Sequence, residues 1–266
     1  MIVRQMLKFT TLIFPKSRIA TIDISKIGKK KHHIAALLEI DVSVSRLKFK
    51  ERKKDNTKIS FSAWLIKIIC HTINDNKNVA AYLESKRKII TFNDINVSYL
   101  IEKEINGQKV PIPLVIEKAN EKSIEDITYQ ISASKKELLT GNDILLQRKP
   151  TQIERLYYLF PGFIRLFFWK LLLSRPNSVF KNMGNVAITS LGMIGKINGW
   201  FIPISIHPIC FGIGSIIKKP VVIDDKIEVR EVLNMTVLLD HDVIDGAPMA
   251  RFIKELSKNI ENGIFL

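Results

Sequence analysis

The chain has 266 residues, 46% of them apolar, which suits one large domain with a sizeable core. Its 41 basic and 26 acidic residues give a formal charge of +15, favouring anionic partners such as nucleotide cofactors, nucleic acid or membrane surfaces. Cys70 and Cys210, the only cysteines, have no metal-ligand spacing and fit a reducing compartment and two core thiols, not a disulfide scaffold. The runs Lys29-Lys30-Lys31-His32-His33 and Lys50-Glu51-Arg52-Lys53-Lys54 come without zinc-finger spacing or an aromatic RNA-binding signature. They read as solvated basic faces, and nucleic acid is the weaker option.

In chain order, residues 1–31 read as an irregular basic arm in which Arg18–Ile22 could add a short strand. Phe9–Phe14 is too short for a signal segment and Pro15 ends it, so a cytoplasmic protein is expected. Ile34–Val42 predicts a strand and residues 43–54 a short basic helix. Ser60 is placed to cap a helix striped by Phe61, Trp64, Leu65, Ile68 and Thr72. Lys88–Asn93, Ile95–Glu102 and Lys109–Ile116 predict strands, with Asn106-Gly107 as a hairpin turn and Pro111 and Pro113 marking an edge or irregular strand. Ser123 and Asp126 form a capping-box pattern before a helix striped by Ile124, Ile127, Ile131 and Leu138, with Gly141 as its stop.

Residues 153–173 are bulky and apolar but interrupted by Arg165, Lys170 and Pro161-Gly162, a poor transmembrane span. Two short helices burying bulky residues in a core or subunit contact are expected. Docking on a membrane surface and a lid over an acyl-chain pocket are the alternatives. Gly184–Leu191 alternates, with Val186 and Ile188 on one face and Ala187 and Thr189 on the other, and Gly192-Met193-Ile194-Gly195 then turns the chain. Ile209–Ile217, Val221–Ile223, Ile227–Arg230 and Leu233–Leu239 complete a β-rich half, with Asp224-Asp225 as a hairpin. Together these elements predict an α+β fold: one domain of mostly antiparallel strands with four or five helices.

The chain converges chemically on Leu239-Asp240-His241-Asp242-Val243-Ile244-Asp245-Gly246. If the alternation of Leu233–Leu239 persists, His241 points to the apolar face, where a neutral imidazole could act as a base. Asp245-Gly246 suits a tight turn before a helix striped by Met249, Phe252, Ile253, Leu256 and Ile260. Locally, a structural histidine beside an ordinary turn fits the same residues, and Thr189 alone fits an ordinary β-former.

The order of elements and two motifs resemble the catalytic domain of the 2-oxoacid dehydrogenase acyltransferases, the dihydrolipoamide acyltransferase family, to which chloramphenicol acetyltransferase is related. The family pattern D-H-R-x-x-D-G is met by Asp240–Gly246 except at its third position. The pattern T-[IV]-[ST]-N-x-G-x-x-G is met in part by Ala187–Gly195. Further similarity runs through Ser60–Ala63, Asp94–Val97, Pro113–Ile116 and Ala250–Phe252, and the resemblance covers about residues 18–263.

The resemblance implies a chloramphenicol acetyltransferase-like fold, with residues 1–17 as an arm and 18–266 as a free-standing catalytic domain carrying an apolar insertion at about 145–180. It implies acyl transfer between coenzyme A and a lipoyl-type thiol or another small acceptor, with coenzyme A as substrate, no covalent acyl-enzyme and no metal, which thioester chemistry does not require. His241 would be the general base, Thr189 the oxyanion donor, and Asp245 would orient the histidine loop; no residue is assigned to coenzyme A. It also implies a homotrimer in which His241 of one subunit faces Thr189 of its neighbour.

Three departures bear on this. Asp242 stands where the family usually has Arg, and Ser190 where it has Asn. Lipoyl and subunit-binding domains are missing from the sequence, so a lipoyl group is expected only from a lipoyl-bearing protein acting in trans. A non-catalytic structural or assembly subunit, membrane-associated through residues 153–173, is the alternative function.

Overall fold

A six-stranded sheet, its strands in the order His33–Asp41, Lys226–Asp240, Ile209–Ile223, Val186–Ser190, Val97–Ile105 and Gln108–Ile116, is the frame of the molecule. The computed structural model describes residues 10–11, 17–54, 58–85, 88–105, 108–137, 157–191, 195 and 197–266. Helix α1 (Ser17–Gly28) leads to β1 (His33–Asp41), α2 (Ser43–Lys54) and α3 (Phe61–Asp75). After a 3-10 turn at Lys77–Ala80 come the ribbon β2 (Tyr82–Ser85) and β3 (Lys88–Ile90), then β4 (Val97–Ile105), β5 (Gln108–Ile116) and α4 (Ile124–Lys136). Next are α5 (Gly162–Leu173), α6 (Pro176–Met183), β6 (Val186–Ser190), β7 (Ile209–Ile223), β8 (Lys226–Asp240) and α7 (Gly246–Glu261). The β4–β6 and β6–β7 pairs are parallel and the other sheet pairs antiparallel. The expected α+β fold with a mixed, mostly antiparallel sheet is what the chain forms.

Helix α3 is buried on nearly all sides because its apolar residues wrap the helix: Trp64, Leu65, Ile66, Ile68, Ile69 and Ile73 are all in the core. Helices α4 and α7 flank it, and the stripe Met249, Phe252, Leu256 and Ile260 is wholly buried. Ser60 caps α3 by accepting from Ala63 N at 3.2 Å, and Ser123 with Asp126 completes a capping box on α4. Alternation fixes the sheet register: Leu233, Met235, Val237 and Leu239 of β8 meet the helices with Val186, Ile188, Ile209 and Phe211. Pro111 and Pro113 fall on β5, an edge strand, where a missing ladder donor is tolerated. Asp224 and Asp225 turn the β7–β8 hairpin at φ 46° and 61°.

Two expectations fail. Arg18–Ile22 is part of α1, not a strand: Ala20, Asp23, Ile24 and Ile27 recur at helical spacing and share the inward face. Of the core or subunit contact expected for residues 153–173, the core half fails, since no residue of α5 is buried within the chain and Phe163, Phe167, Phe168 and Leu171 are exposed. The helix count is also higher than read, at seven α-helices among the described residues. Most of Phe9–Phe14, Asn106-Gly107, Leu138, Gly141, residues 153–156 and Gly192-Met193-Ile194 lie outside the described residues. No described helix is long and apolar enough to cross a membrane.

Candidate active site

Strand β8 ends at Asp240, which is 1% exposed and sets the geometry of the turn that follows. Its Oδ2 accepts from Lys31 Nζ at 2.5 Å, and its Oδ1 accepts from the backbone N–H of Asp242 at 3.3 Å. The carbonyl of Asp240 accepts from Val243 and Ile244, and its own N–H donates to Pro208 O. His241 donates its backbone N–H to His32 O at 3.0 Å. Buried Ile244 then ties the far side of the turn into the core.

The imidazole of His241 is thus held out on a turn whose backbone is fixed from three directions. It is exposed, which corrects the expectation of an apolar setting: the strand ends one residue earlier, and alternation no longer governs where position 241 points. Asp245 is the N-cap residue of α7 by backbone position, at φ −86° and ψ 167°, and its side chain makes no cap hydrogen bond. A carboxylate at that helix N-terminus is electrostatically favoured. Asp242, the position that departs from the family pattern, accepts from or shares a proton with His32 Nδ1 at 2.8 Å, so an imidazole stands against its charge.

Two further histidines support the turn from below. His33 Nε2 donates to His207 O at 2.9 Å. His207 Nε2 donates to Met183 O at 3.0 Å, leaving Nδ1 to accept from the Ser205 hydroxyl at 3.2 Å. Burial holds both imidazoles below their ordinary range, against the opposing pull of their bonds to carbonyls, and pushes His207 down to about 4. Both are neutral at pH 7. Neither cysteine offers a nucleophile: Cys70 and Cys210 are buried, and desolvation pushes each thiol up to about 12.

Thr189 is half-buried on the sheet face opposite α3, because Val186 and Ile188 point to the core. The register sets Thr189 beside Gly212 of β7, and Gly212 beside Thr236 of β8. The segment 197–206 crosses this face. A Cβ on Gly212 would lie 2.7 Å from Phe201 O, so the strand needs glycine where the segment passes. Trp200 Nε1 donates to Leu38 O at 2.9 Å, and Asn234 Nδ2 to Gly199 O at 3.2 Å, pinning the crossing. Beneath it Asn234 Oδ1 and Thr236 Oγ1 are buried with no partner among the described residues. These two polar groups beside Thr189 went unnoticed in the sequence; their signal is the polar even positions of the 233–239 alternation.

One chain does not bring Thr189 and His241 together. Thr189 is level with Thr236, five residues short of His241, and two strands away from it. At about 3.3 Å per residue and about 4.8 Å per strand the two lie roughly 19 Å apart. A hollow of about 470 Å³ lined by Leu114, Lys122, Tyr129 and Glu137 sits between β5 and α4, toward the opposite sheet edge from β8 and β1, and bears on neither residue.

The strand order and the layering of helices on one sheet define an α+β domain of a known family. The chain belongs to the 2-oxoacid dehydrogenases acyltransferase (catalytic domain) family, whose model matches residues 17–142 and 180–266. It is 26% identical over 242 residues to a dihydrolipoyllysine-residue acetyltransferase component of the pyruvate dehydrogenase complex from Mycoplasma pneumoniae, covering 87% of this chain and 50% of the relative. A lipoamide acyltransferase component of the branched-chain alpha-keto acid dehydrogenase complex from Bacillus subtilis is 23% identical, covering 86% and 47%. The chain therefore spans about half the length of the curated relatives it matches.

Among solved structures, a probable dihydrolipoamide acetyltransferase from Listeria monocytogenes superposes with a TM-score of 0.68 at 21% identity, covering 96% of this chain and 95% of that one. A dihydrolipoamide acetyltransferase of Azotobacter vinelandii, studied for the role of a serine, a histidine and an asparagine in its catalytic mechanism, gives 0.67 at 15% identity, covering 96% and 92%. Chloramphenicol acetyltransferase gives 0.50 at 9% identity, covering 90% and 94%. The fold is the one these proteins share.

Proposed function

We propose that the chain is an acyltransferase that moves an acyl group between coenzyme A and a lipoyl-type thiol, in a homotrimer whose sites form between subunits. The observation that carries this is the division of the site: an exposed imidazole on a fixed turn and a hydroxyl row, each incomplete within one chain. Supporting it, the segment over the Thr189 face exposes Ile197, Ile202 and Ile204, apolar surface suited to a neighbouring copy. In the Azotobacter relative the serine and histidine stand 52 positions apart and the histidine and asparagine four, the separations of Thr189 from His241 and of His241 from Asp245.

In this reading the imidazole of His241 takes the proton of the attacking thiol, and the thiolate adds to the thioester carbonyl. Thr189 of the neighbouring subunit donates its hydroxyl hydrogen to the oxyanion. Collapse of that intermediate expels the second thiolate, which takes the proton back from the imidazolium, so no proton is gained or lost overall. Asp245 acts on this chemistry through the backbone, by starting α7 where the loop must stop. Coenzyme A enters as substrate, and a lipoyl group would arrive on a lipoyl-bearing protein in trans. The partition into an arm of residues 1–17, a catalytic domain of residues 18–266 and an insertion at about 145–180 belongs to the same proposal. The non-catalytic alternative has less support, because a purely structural subunit gains nothing from an exposed imidazole on a fixed turn.

The test is release of coenzyme A from acyl-CoAs in the presence of dihydrolipoamide. His241→Ala is expected to lower kcat by about 100- to 10,000-fold and Thr189→Val by about 100- to 1000-fold, with unchanged circular dichroism. Turnover that survives His241→Ala, or no turnover by the wild-type chain with any acyl-CoA, would overturn the assignment.

A further inference from the structure

The family match leaves out residues 143–179, and the described part of that segment leaves a large apolar surface uncovered. Arg165 Nε and the Tyr157 hydroxyl both donate to Asp23 Oδ2 of α1 at 2.7 Å, and Trp169 Nε1 donates to the Tyr157 oxygen at 3.0 Å. Asp23 is 1% exposed. Arg165 of α5 is therefore clamped onto α1, and Ile164, Leu166, Trp169, Leu172 and Leu173 are half-buried on the helix. The rest of this helix, apolar nearly all round, points to solvent, with Phe163 at 74%, Phe167 at 63% and Phe168 at 48% exposure. A helix that is apolar all round is expected to be covered on every side, and an aromatic surface of this kind marks a contact with something else.

Charge identifies the occupant. Residues 17–31 and 157–183 hold nine cations and one acid, a formal +8 of the chain's +15, and the one acid is buried under Arg165. The exposed surface of these helices thus carries cations alone. Lys170, Arg175 and Lys181 accompany the aromatic row. Arg18 and Lys26 of α1 and Lys29 just past its end line a shallow hollow of about 270 Å³ together with Thr21, Ile22 and Ser25, a setting with cations and hydroxyls fit for a phosphate. A second copy docked on this face would set like charge against like. Helix α5, at 12 residues about 18 Å long, is too short to span a hydrocarbon core of about 30 Å. It is long enough to lie in the interface.

We propose that α1 and α5 form a docking surface for an anionic lipid bilayer. The phenylalanines of α5 enter the boundary between headgroups and acyl chains, the flanking Lys and Arg side chains meet phosphates, and the α1 hollow takes a lipid phosphate group. The proposal does not rest on the transfer chemistry and adds a location to it.

Sedimentation of the full chain with vesicles tests it. The chain is expected to sediment with phosphatidylcholine–phosphatidylglycerol vesicles at low salt and to stay in solution with phosphatidylcholine alone. Phe163→Ser/Phe167→Ser and Lys26→Glu/Lys29→Glu are each expected to weaken binding by about tenfold or more. The melting temperature and the turnover of soluble substrates should stay at wild-type values, because all four residues are exposed. Absence of binding to anionic vesicles, or binding that both double variants leave unchanged, would overturn the proposal. So would a smaller oligomer in the phenylalanine variant without vesicle binding, which would give the face to a second copy.

Discussion

Burial makes His207 a neutral group at physiological pH, with its two ring nitrogens bonded to Met183 O and the Ser205 hydroxyl. Its imidazole titrates near 6.5 in the unfolded chain and at about 4 in the folded one. Between those values the unfolded state binds the proton and the folded state does not, so stability rises with pH. The contribution, at most about 3 kcal/mol, is complete above pH 6.5 and is lost as the pH falls towards 4. Urea titrations at about pH 7 and about pH 5 should show this loss in the wild type, and a much flatter profile in His207→Gln. Equal slopes in both proteins would disprove it. The neighbouring Lys31–Asp240 pair makes a separate prediction. Lys31→Met strands a carboxylate that is 1% exposed and should cost about 3 kcal/mol, while Lys31→Met/Asp240→Asn recovers most of that loss. A double variant no more stable than Lys31→Met would show that the pair does not hold the turn.

At the scale of elements, the placement of β6 depends on the residue before it. Gly184 has φ 75°, and a Cβ there would lie 2.2 Å from Asn96 O, an atom that also accepts from Asn185 and Val186. Gly184→Ala should therefore cost about 3 kcal/mol or more and shift the strand bearing Thr189, read as a lowered melting temperature together with a lowered kcat. An unchanged melting temperature would contradict the close approach. Elements whose cause is local were legible in the sequence: the Ser123–Asp126 capping box, the prolines of edge strand β5 and the Asp224-Asp225 hairpin. Helix α1 was not, because its β-branched residues imitate a strand and its buried Asp23 finds Arg165 only 142 positions later. The outward face of α5 was hidden for the same reason, since the bond from Arg165 to Asp23 that sets which side faces out reaches a distant helix. The setting of His241 was misread because alternation does not say where a strand stops; Lys31 and the His32 carbonyl decide that.

For the whole molecule, the family and fold were legible because the two motifs sit in the right order on neighbouring parts of one sheet. The pairing of His241 with a neighbour's Thr189 came from the resemblance and not from the residues themselves, because it does not exist within a chain: Thr189 and His241 are roughly 19 Å apart by strand register. That separation makes the central claim testable without a partner protein. Co-expression of His241→Ala and Thr189→Val chains lets them assemble at random. If each site joins the histidine of one subunit to the threonine of the next, about one site in four pairs an intact His241 with an intact Thr189. The account predicts that about a quarter of the wild-type rate of coenzyme A release returns in the mixture, although each variant alone is inactive. A mixture as inactive as its components, in oligomers shown to contain both chains, would contradict a site shared between subunits.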